Sequence, residues 1–342
     1  MQLVLNTYGA YLSRRGELFQ VKVKDQSTEI SARKVRSILI STGAAFSSDA
    51  VQLAVEKNID ILVLDKYGDP FGRVWHGRPG STTAIRRLQL VAVQTDLGVQ
   101  LALGWIGRKF DNQIALLTRM RDRRTRLSAP LTEAIGSLKT LKEQTQDLAG
   151  NTNTGSTGIN TMRQSLLGLE GRAGRTYWAT VSLLLPVHHR FEGRSRNPAK
   201  DPFNCLLNYA YGMLYGIVER ACLLSGLDPY IGFIHTDHYN KPSLVFDLIE
   251  QYRIWADETV IGLFSARKIK QGQFDKLSNG LTLNKEGKAV LIEAFTDYLD
   301  TAIRYRGRNI TRRDSIQFDL HRIANDLLSQ DTNEEQPAHE IR

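Results

Sequence analysis

FGRVWHGRPGSTTAIRRLQLVAV, Phe71 to Val93, contains the change of pattern that decides the fold. Before it, apolar and polar residues alternate; after it, apolar residues recur at the helical period. HGRPGST, His76 to Thr82, has the Gly/Pro/Ser composition of a linker. Upstream, Leu3-Val4-Leu5, Ala10-Tyr11-Leu12 and ELFQVKVK (Glu17 to Lys24) read as short strands, with Gly9 and Gly16 at turns. Val35 to Ile40 gives another strand. Ser47 to Asn58 gives a short helix capped by Ser47 or Ser48. Ile61 to Leu64 and Phe71 to Trp75 flank KYGDP as a hairpin. Downstream, Ile85 to Arg126 is helical, with Leu88, Val91, Thr95, Val99 and Ala102 on one stripe. Asp201-Pro202 starts a helix that Gly226 ends. Further helices run from Asn284 to about Ile303 and from Ser315 to Leu328.

These patterns predict an α+β protein. A small β-rich domain (residues 1–78) is followed by a linker (79–85) and a larger all-helical domain (86–328). AGNTNTGSTGIN, Ala149 to Asn160, has the composition of a loop, and the polar residues 329–342 that of a disordered tail.

The 342 residues are 42% hydrophobic and 24% charged, enough to bury cores in two domains. No apolar run approaches the ~20 residues that cross a bilayer, and no association with a membrane is expected. MQLVLNTYGAYLSRRGE shows neither a basic leader nor a long apolar segment, so a cytoplasmic location is expected. Cys205 and Cys222 lie in one expected helix, roughly 25 Å apart along its axis, too far to bridge. There is no CxxC pair to suggest a zinc ribbon. Lys and Arg exceed Asp and Glu by 45 to 36, a net +9, which suits a polyanion such as nucleic acid as well as it suits simple solubility. RMRDRRTR, Arg119 to Arg126, is the densest basic run.

GFIHTDHYNKPSLVFDLIEQYR, Gly232 to Arg253, gathers two histidines and several carboxylates. Ser243 is a candidate cap of its helix, on which Asp247 and Glu250 are one turn apart; a cation between them would turn their repulsion into binding. Taken alone, the helix is more simply a solvated acidic face balanced by Arg253. HTDH does not fit a binuclear zinc motif, because Phe233 stands at its first histidine position. Upstream, GLEGRAGRTYW (Gly168 to Trp178) places Glu170 among Arg172 and Arg175. A carboxylate there needs an arginine or a metal, and a Glu170–Arg175 ion pair meets that need without chemistry.

Four motifs then stand in order: G-x-E-G-x-A-x-R-x-Y-W from Gly168, F-x-G-R-x-x-x-P-x-x-D-P-x-N-x-L-L-N-Y from Phe191, G-F-x-H from Gly232 and S-L-x-x-D-L-x-E-x-Y-R from Ser243. Together with YGAYLSRRGELFQVK and ILVLDKYGDPFGRV, they resemble the CRISPR-associated integrase family of spacer acquisition, the universal first CRISPR-associated protein. The resemblance spans roughly residues 3 to 328. Ile254, where many members have proline, is a minor departure.

The resemblance implies a metal-dependent DNA endonuclease and integrase that joins short DNA fragments to a CRISPR array. In this transesterification a 3′-hydroxyl attacks a phosphodiester, and one such bond replaces another. It implies Mn²⁺ or Mg²⁺ on Glu170, His235 and Glu250, supported by Asp247; one imidazole among oxygen ligands suits either ion. It also implies a homodimer and a ferredoxin-like dimeric partner, the second CRISPR-associated adaptation protein. Asp237 and His238 have no counterpart in the motif. Arg172, Arg175, Arg190, Arg194, Arg196 and Lys200 are the candidate phosphate contacts, and Tyr177 or Trp178 a candidate base stack. Two alternatives stay open: a catalytically silent DNA-binding scaffold built on a Glu170–Arg175 pair, and a general nuclease of branched-DNA repair.

Overall fold

The period-two segments pair as two four-stranded sheets. β1 (Gln2–Leu5), β5 (Ser37–Ile40) and β7 (Asp60–Leu64) are parallel neighbours, and β8 (Pro70–Val74) closes that sheet antiparallel to β7. In the other, β2 (Ala10–Arg15), β3 (Leu18–Val23) and β4 (Gln26–Ser31) form a meander, and β6 (Ala44–Phe46) runs parallel to β2. SILI and DILVL read as almost unbroken apolar runs because their strands are buried nearly throughout. Leu5, Leu12, Phe19, Ile38 and Ile61 share one core with Ala50, Leu53 and Ala54 of α1 (Ser48–Glu56). Ser47 caps α1, its Oγ accepting from the Ala50 N–H at 3.2 Å. The polar QSTEIS and the three-residue AAF carry no strand signal in sequence; pairing with β3 and β2 makes them β4 and β6.

The computed structural model describes residues 2–35, 37–57, 59–65, 70–74, 83–150, 158–196, 198–235 and 241–334. The linker HGRPGST, most of KYGDP, the centre of AGNTNTGSTGIN, Asp237, His238 and residues 335–342 lie outside them.

Beyond the sheets come α2 (Thr83–Ala92), α3 (Asp96–Arg123), α4 (Ser128–Gly150), α5 (Arg163–Leu184), α6 (Pro202–Leu224), α7 (Ser243–Ile249) and α8 (Arg253–Ser265). Next are the hairpin of β9 (Phe274–Leu277) and β10 (Gly280–Leu283), then α9 (Lys285–Asp300). The hairpin of β11 (Ala302–Tyr305) and β12 (Arg308–Thr311) precedes α10 (Arg312–Glu334). The α+β class holds, but the helical part is not purely helical. The helix begun by Asn284 stops at Asp300, where the chain turns into β11, and α10 continues past Ser329. Asp201 caps α6 through the Asn204 N–H, and Gly226 follows its end at φ +80°. Both cysteines are free and buried.

Contacts divide the chain into two units that do not follow its order. One comprises Met1–Arg78, Arg194–Gly216 and Thr259–Leu299; the other comprises Pro79–Gly193, Ile217–Glu258 and Asp300–Arg342. The sequence division at residue 78 therefore misses two later segments that pack with the sheets. In that unit a Cβ on Gly216 would lie 2.3 Å from Leu62 Cδ2, and Lys288 Nζ donates to the Ser41 carbonyl at 2.9 Å.

In the second unit, the expected stripe through Leu88 and Ala102 is cut. Thr95 Oγ1 donates back to the Ala92 carbonyl, α3 starts afresh, and α2 and α3 meet at 84°. No single helix among the described residues is long and apolar enough to cross a membrane. At the corner, a Cβ on Gly98 would come within 2.2 Å of the Ala92 carbonyl oxygen, whereas one on Gly104 would meet nothing. Gly98→Ala should destabilise by about 1–3 kcal/mol through this overlap. Gly104→Ala, in the same helix, should stabilise by about 0.5–1 kcal/mol. Urea unfolding of both variants checks the opposite signs.

Candidate functional site

α3, α5 and the end of α7 bring three charged side chains together in the second unit. The Lys109 ammonium bonds to Glu170 Oε1 and lies 2.6 Å from Glu250 Oε2. Lys109 is on the inward face of α3, one turn from the buried Trp105, Ile106 and Gln113. Glu170 is two turns inside α5, and Glu250 is the C-cap residue of α7, still helical at φ −53° and ψ −38°. The side chains of Lys109 and Glu250 are 12% and 6% exposed, so neither charge is tolerable without the other. Arg253 Nη2 holds the second Glu250 oxygen at 2.9 Å. Burial by itself would push the Glu250 carboxyl up; Arg253, Lys109 and His235 outweigh it and hold the pKa down to about 2. Burial also lowers the Lys109 pKa, but Glu250 and Glu170 turn the net direction upward.

A second carboxylate organises the neighbouring loop. Asp247 is fully buried. Its Oδ2 accepts from the Phe233 and Ile234 N–H groups at 2.6 and 2.9 Å. Its Oδ1 accepts from the His235 N–H at 2.9 Å and lies 2.6 Å from His235 Nδ1. Three backbone donors and one ring nitrogen fill its lone pairs, so Asp247 orients His235 and has no face left for a ligand of its own. The imidazole then presents Nε2 outward, the arrangement in which a carboxylate behind a histidine fixes its ring and tautomer. The His235 pKa is lowered by burial and raised more strongly by Asp247, for a net upward shift. Arg163 donates to the Phe233 carbonyl at 3.0 Å, and the Phe233 ring meets Trp105 edge-on with centroids 5.4 Å apart. Ser243 does not cap α7: it is the first, buried residue of that helix, behind Pro242.

Among the described residues, no three His, Cys, Asp or Glu side chains are already gathered into a cage. Glu170 and Glu250 nevertheless converge on one cation. Glu250 Oε2 is buried and has no donor aligned on it, although the ammonium is near. Such an oxygen suits a charge that makes no directional demand, and the donor types fit a hard divalent ion.

The basic residues separate. Arg172, Arg175 and Arg190 are exposed in the second unit, and Arg196 and Lys200 are exposed in the first. Arg194 is engaged internally, its guanidinium on the Asn204 and Asn208 carbonyl oxygens and 5.5 Å from the Tyr211 ring centroid. Glu170 pairs with Lys109, and no ion pair with Arg175 occurs among the described residues. Tyr177 is core, its hydroxyl donating to the buried Asp257 at 2.9 Å, and Trp178 packs against Tyr177 and Phe191. In the basic run, Arg119 pairs with Glu258 and Arg124 bonds to the Leu184 carbonyl. Lys109 escaped the sequence reading. Its signal is a lysine in register with the apolar face of a long helix.

Two glutamates on one ammonium, beside a carboxylate-backed histidine, thus sit in a fold of β-rich and helical parts, and known proteins share that fold. The model of the family described as CRISPR associated protein Cas1 matches residues 3–297, so the chain belongs to that family. A CRISPR-associated endonuclease Cas1 of Archaeoglobus fulgidus is 35% identical over 91% of this chain and 91% of its own. One from Pyrobaculum aerophilum is 30% identical over 80% and 85%. Among solved structures, a CAS1 protein from Thermotoga maritima superposes with a TM-score of 0.80 at 21% identity, covering 96% of this chain and 97% of its own. A casposase bound to integration product superposes with a TM-score of 0.79 at 22% identity, over 96% and 91%.

Lys109→Met would leave Glu250 and Glu170 without their shared cation, and stability should fall by about 3 kcal/mol in urea unfolding at pH 7 with chelator present. Adding Glu170→Gln should recover part of that loss, since the two positions share one interaction. Because Glu250 is held below its ordinary 4.5, its contribution is complete above that pH and disappears as pH falls toward about 2. Glu250→Gln should therefore flatten the fall in stability between those limits, read by thermal melts across acidic pH.

Proposed function

We propose that this chain is a metal-dependent DNA endonuclease and integrase that joins short DNA fragments to a CRISPR array. The observation that carries the reading is the meeting of Glu170 and Glu250 over a single cation, beside a histidine whose ring Asp247 has already oriented. The relatives' names, CRISPR-associated endonuclease, support the activity, and the integration product bound to the casposase supports strand transfer. Glu170, Glu250 and His235 Nε2 would hold Mn²⁺ or Mg²⁺, which when bound withdraws charge from a phosphate oxygen and lowers the barrier to attack on phosphorus. The chain's own part is positional. Asp247 keeps the imidazole in one tautomer, α5 and the end of α7 set the spacing of the carboxylates, and the exposed Arg172 and Arg175 of α5 would take the phosphate contacts. A 3′-hydroxyl attacks, the 3′-oxygen of the broken strand leaves, and the number of phosphodiesters is unchanged, so no nucleotide triphosphate is needed.

The proposed partners are DNA, a second copy of the chain and a dimeric, ferredoxin-like second adaptation protein. Complexes named as containing Cas1 and Cas2 share the fold and support that last partner. The proposed location is the cytoplasm.

One observation favours a second reading. An ammonium already neutralises both glutamates, as it would in a catalytically silent scaffold with Lys109 as permanent counter-ion. Calorimetric titration with Mn²⁺ separates the two. The enzyme reading expects binding that Glu170→Gln and His235→Ala each weaken at least tenfold, together with strand transfer that both variants abolish. Wild-type protein that takes up no Mn²⁺ and transfers no strand would establish the scaffold.

A further inference from the structure

The second unit contains a pocket that belongs to no part of the proposed metal centre. Its volume is about 270 Å³, and it is lined by Tyr305, Arg306, Arg308, Ile310, Phe318 and Arg322. Three guanidinium groups thus surround two aromatic rings. The rings of Tyr305 and Phe318 stack, with centroids 6.2 Å apart and planes at 27°. Phe318 is 44% exposed, although it is a large apolar residue on a helix with a buried face.

Two of the lining residues, Tyr305 and Arg322, meet one carboxylate beneath the pocket, that of Asp319. Asp319 is buried and accepts from the Tyr305 hydroxyl at 2.8 Å, the Tyr252 hydroxyl at 3.0 Å and Arg108 at 3.1 Å. Arg322 lies 3.5 Å from the same carboxylate. That one negative charge is already shared by two arginines and two phenols, so it leaves the pocket strongly positive. Arg306 and Arg308 form no ion pair among the described residues, and Arg306 lies over the Tyr305 ring at 6.0 Å.

The hairpin that presents these arginines is built against local preference. Tyr305 pairs with Arg308, which leaves Arg306 and Gly307 as a two-residue turn with φ +46° and +84°. Positive φ at both positions calls for Asn-Gly, and an arginine at the first costs backbone energy that asparagine largely avoids. The fold thus holds a guanidinium at the rim where its own turn gains nothing from it, as strained positions at binding sites do.

Cationic groups for phosphate, a flat exposed ring for stacking and no unshared carboxylate together describe the recognition of a single-stranded nucleotide. We propose that this pocket binds an unpaired nucleotide of a DNA strand, with its phosphate on Arg306 and Arg308 and its base against Phe318. The proposal rests on the reading of the chain as a DNA-acting protein but is independent of the metal ligands. It also assigns a link to the chemistry, because Tyr252 and Arg108, which brace the pocket floor, are two residues from Glu250 and adjacent to Lys109.

Fluorescence anisotropy with a blunt duplex, and with the same duplex carrying a short single-stranded tail, tests this. Arg306→Asn restores the residue the turn prefers, so the Arg306→Asn/Arg308→Gln variant keeps its fold, verified by its melting temperature. Wild type should favour the tailed duplex. The double variant should bind it roughly tenfold more weakly, match wild type on the blunt duplex and show a salt slope shallower by about one per arginine. Phe318→Ser should abolish the quenching of 2-aminopurine placed in the tail. Blunt-duplex binding with a tail preference and quenching unchanged in these variants would overturn the pocket assignment alone. A change in solution mass in the double variant would overturn it in favour of a protein interface. Wild type that binds neither duplex would overturn the DNA-acting reading and the pocket with it.

Discussion

Two ionised glutamates on separate helices repel one another when brought side by side in a protein interior unless a cation lies between them. Lys109 supplies that cation, and its position sets how α3, α5 and the end of α7 relate. A surface ion pair of the same composition would contribute almost nothing, since water would solvate each charge separately. Burial changes the balance, because removing one partner strands the others. The same arrangement that stabilises the protein gathers anionic oxygen toward one point, and a site for a divalent ion needs that geometry. The stability of this region and the placement of its two carboxylates rest on one set of contacts.

α3 does two tasks from adjacent residues. Lys109 faces the glutamates, while Arg108, about 100° around the helix, reaches Asp319 under the arginine-lined pocket. Tyr252 does the same from the other side, three residues before Trp255 and two after Glu250. A shift of α3 along its axis would disturb both places together, which gives the tight contact at Gly98 a purpose beyond turning the chain.

The legible parts of the sequence were those with local causes. Ser47 and Asp201 announce their helices because a cap acts within three residues, and Gly226 announces an end because a left-handed residue is needed there. The motifs single out Glu170, His235, Glu250 and Asp247, and the structure shows Glu170 and Glu250 on Lys109 and His235 on Asp247. What Asp247 does was not visible, because its partners are backbone N–H groups that every residue possesses. Lys109 was hidden for another reason. A lysine on a long helix ordinarily lies at the surface with its ammonium in water, and only the packing of α5 and α7 makes this one internal. β4 and β6 have little apolar pattern and exist through their neighbours. The packing of residues 194–216 and 259–299 with the sheets is a long-range fact that no linear pattern records.

Asp247 also determines what the protein can become. Its two oxygens meet only donors, so the position asks for four acceptances and no donation. Asparagine has nearly the same shape, but its amide would turn an N–H toward another N–H, and glutamate would need room that a fully buried side chain lacks. The usual small steps of sequence drift are therefore closed at this position. A lineage that changes the residue must rebuild the Phe233–His235 loop in the same step, so position 247 should be among the last in the chain to vary.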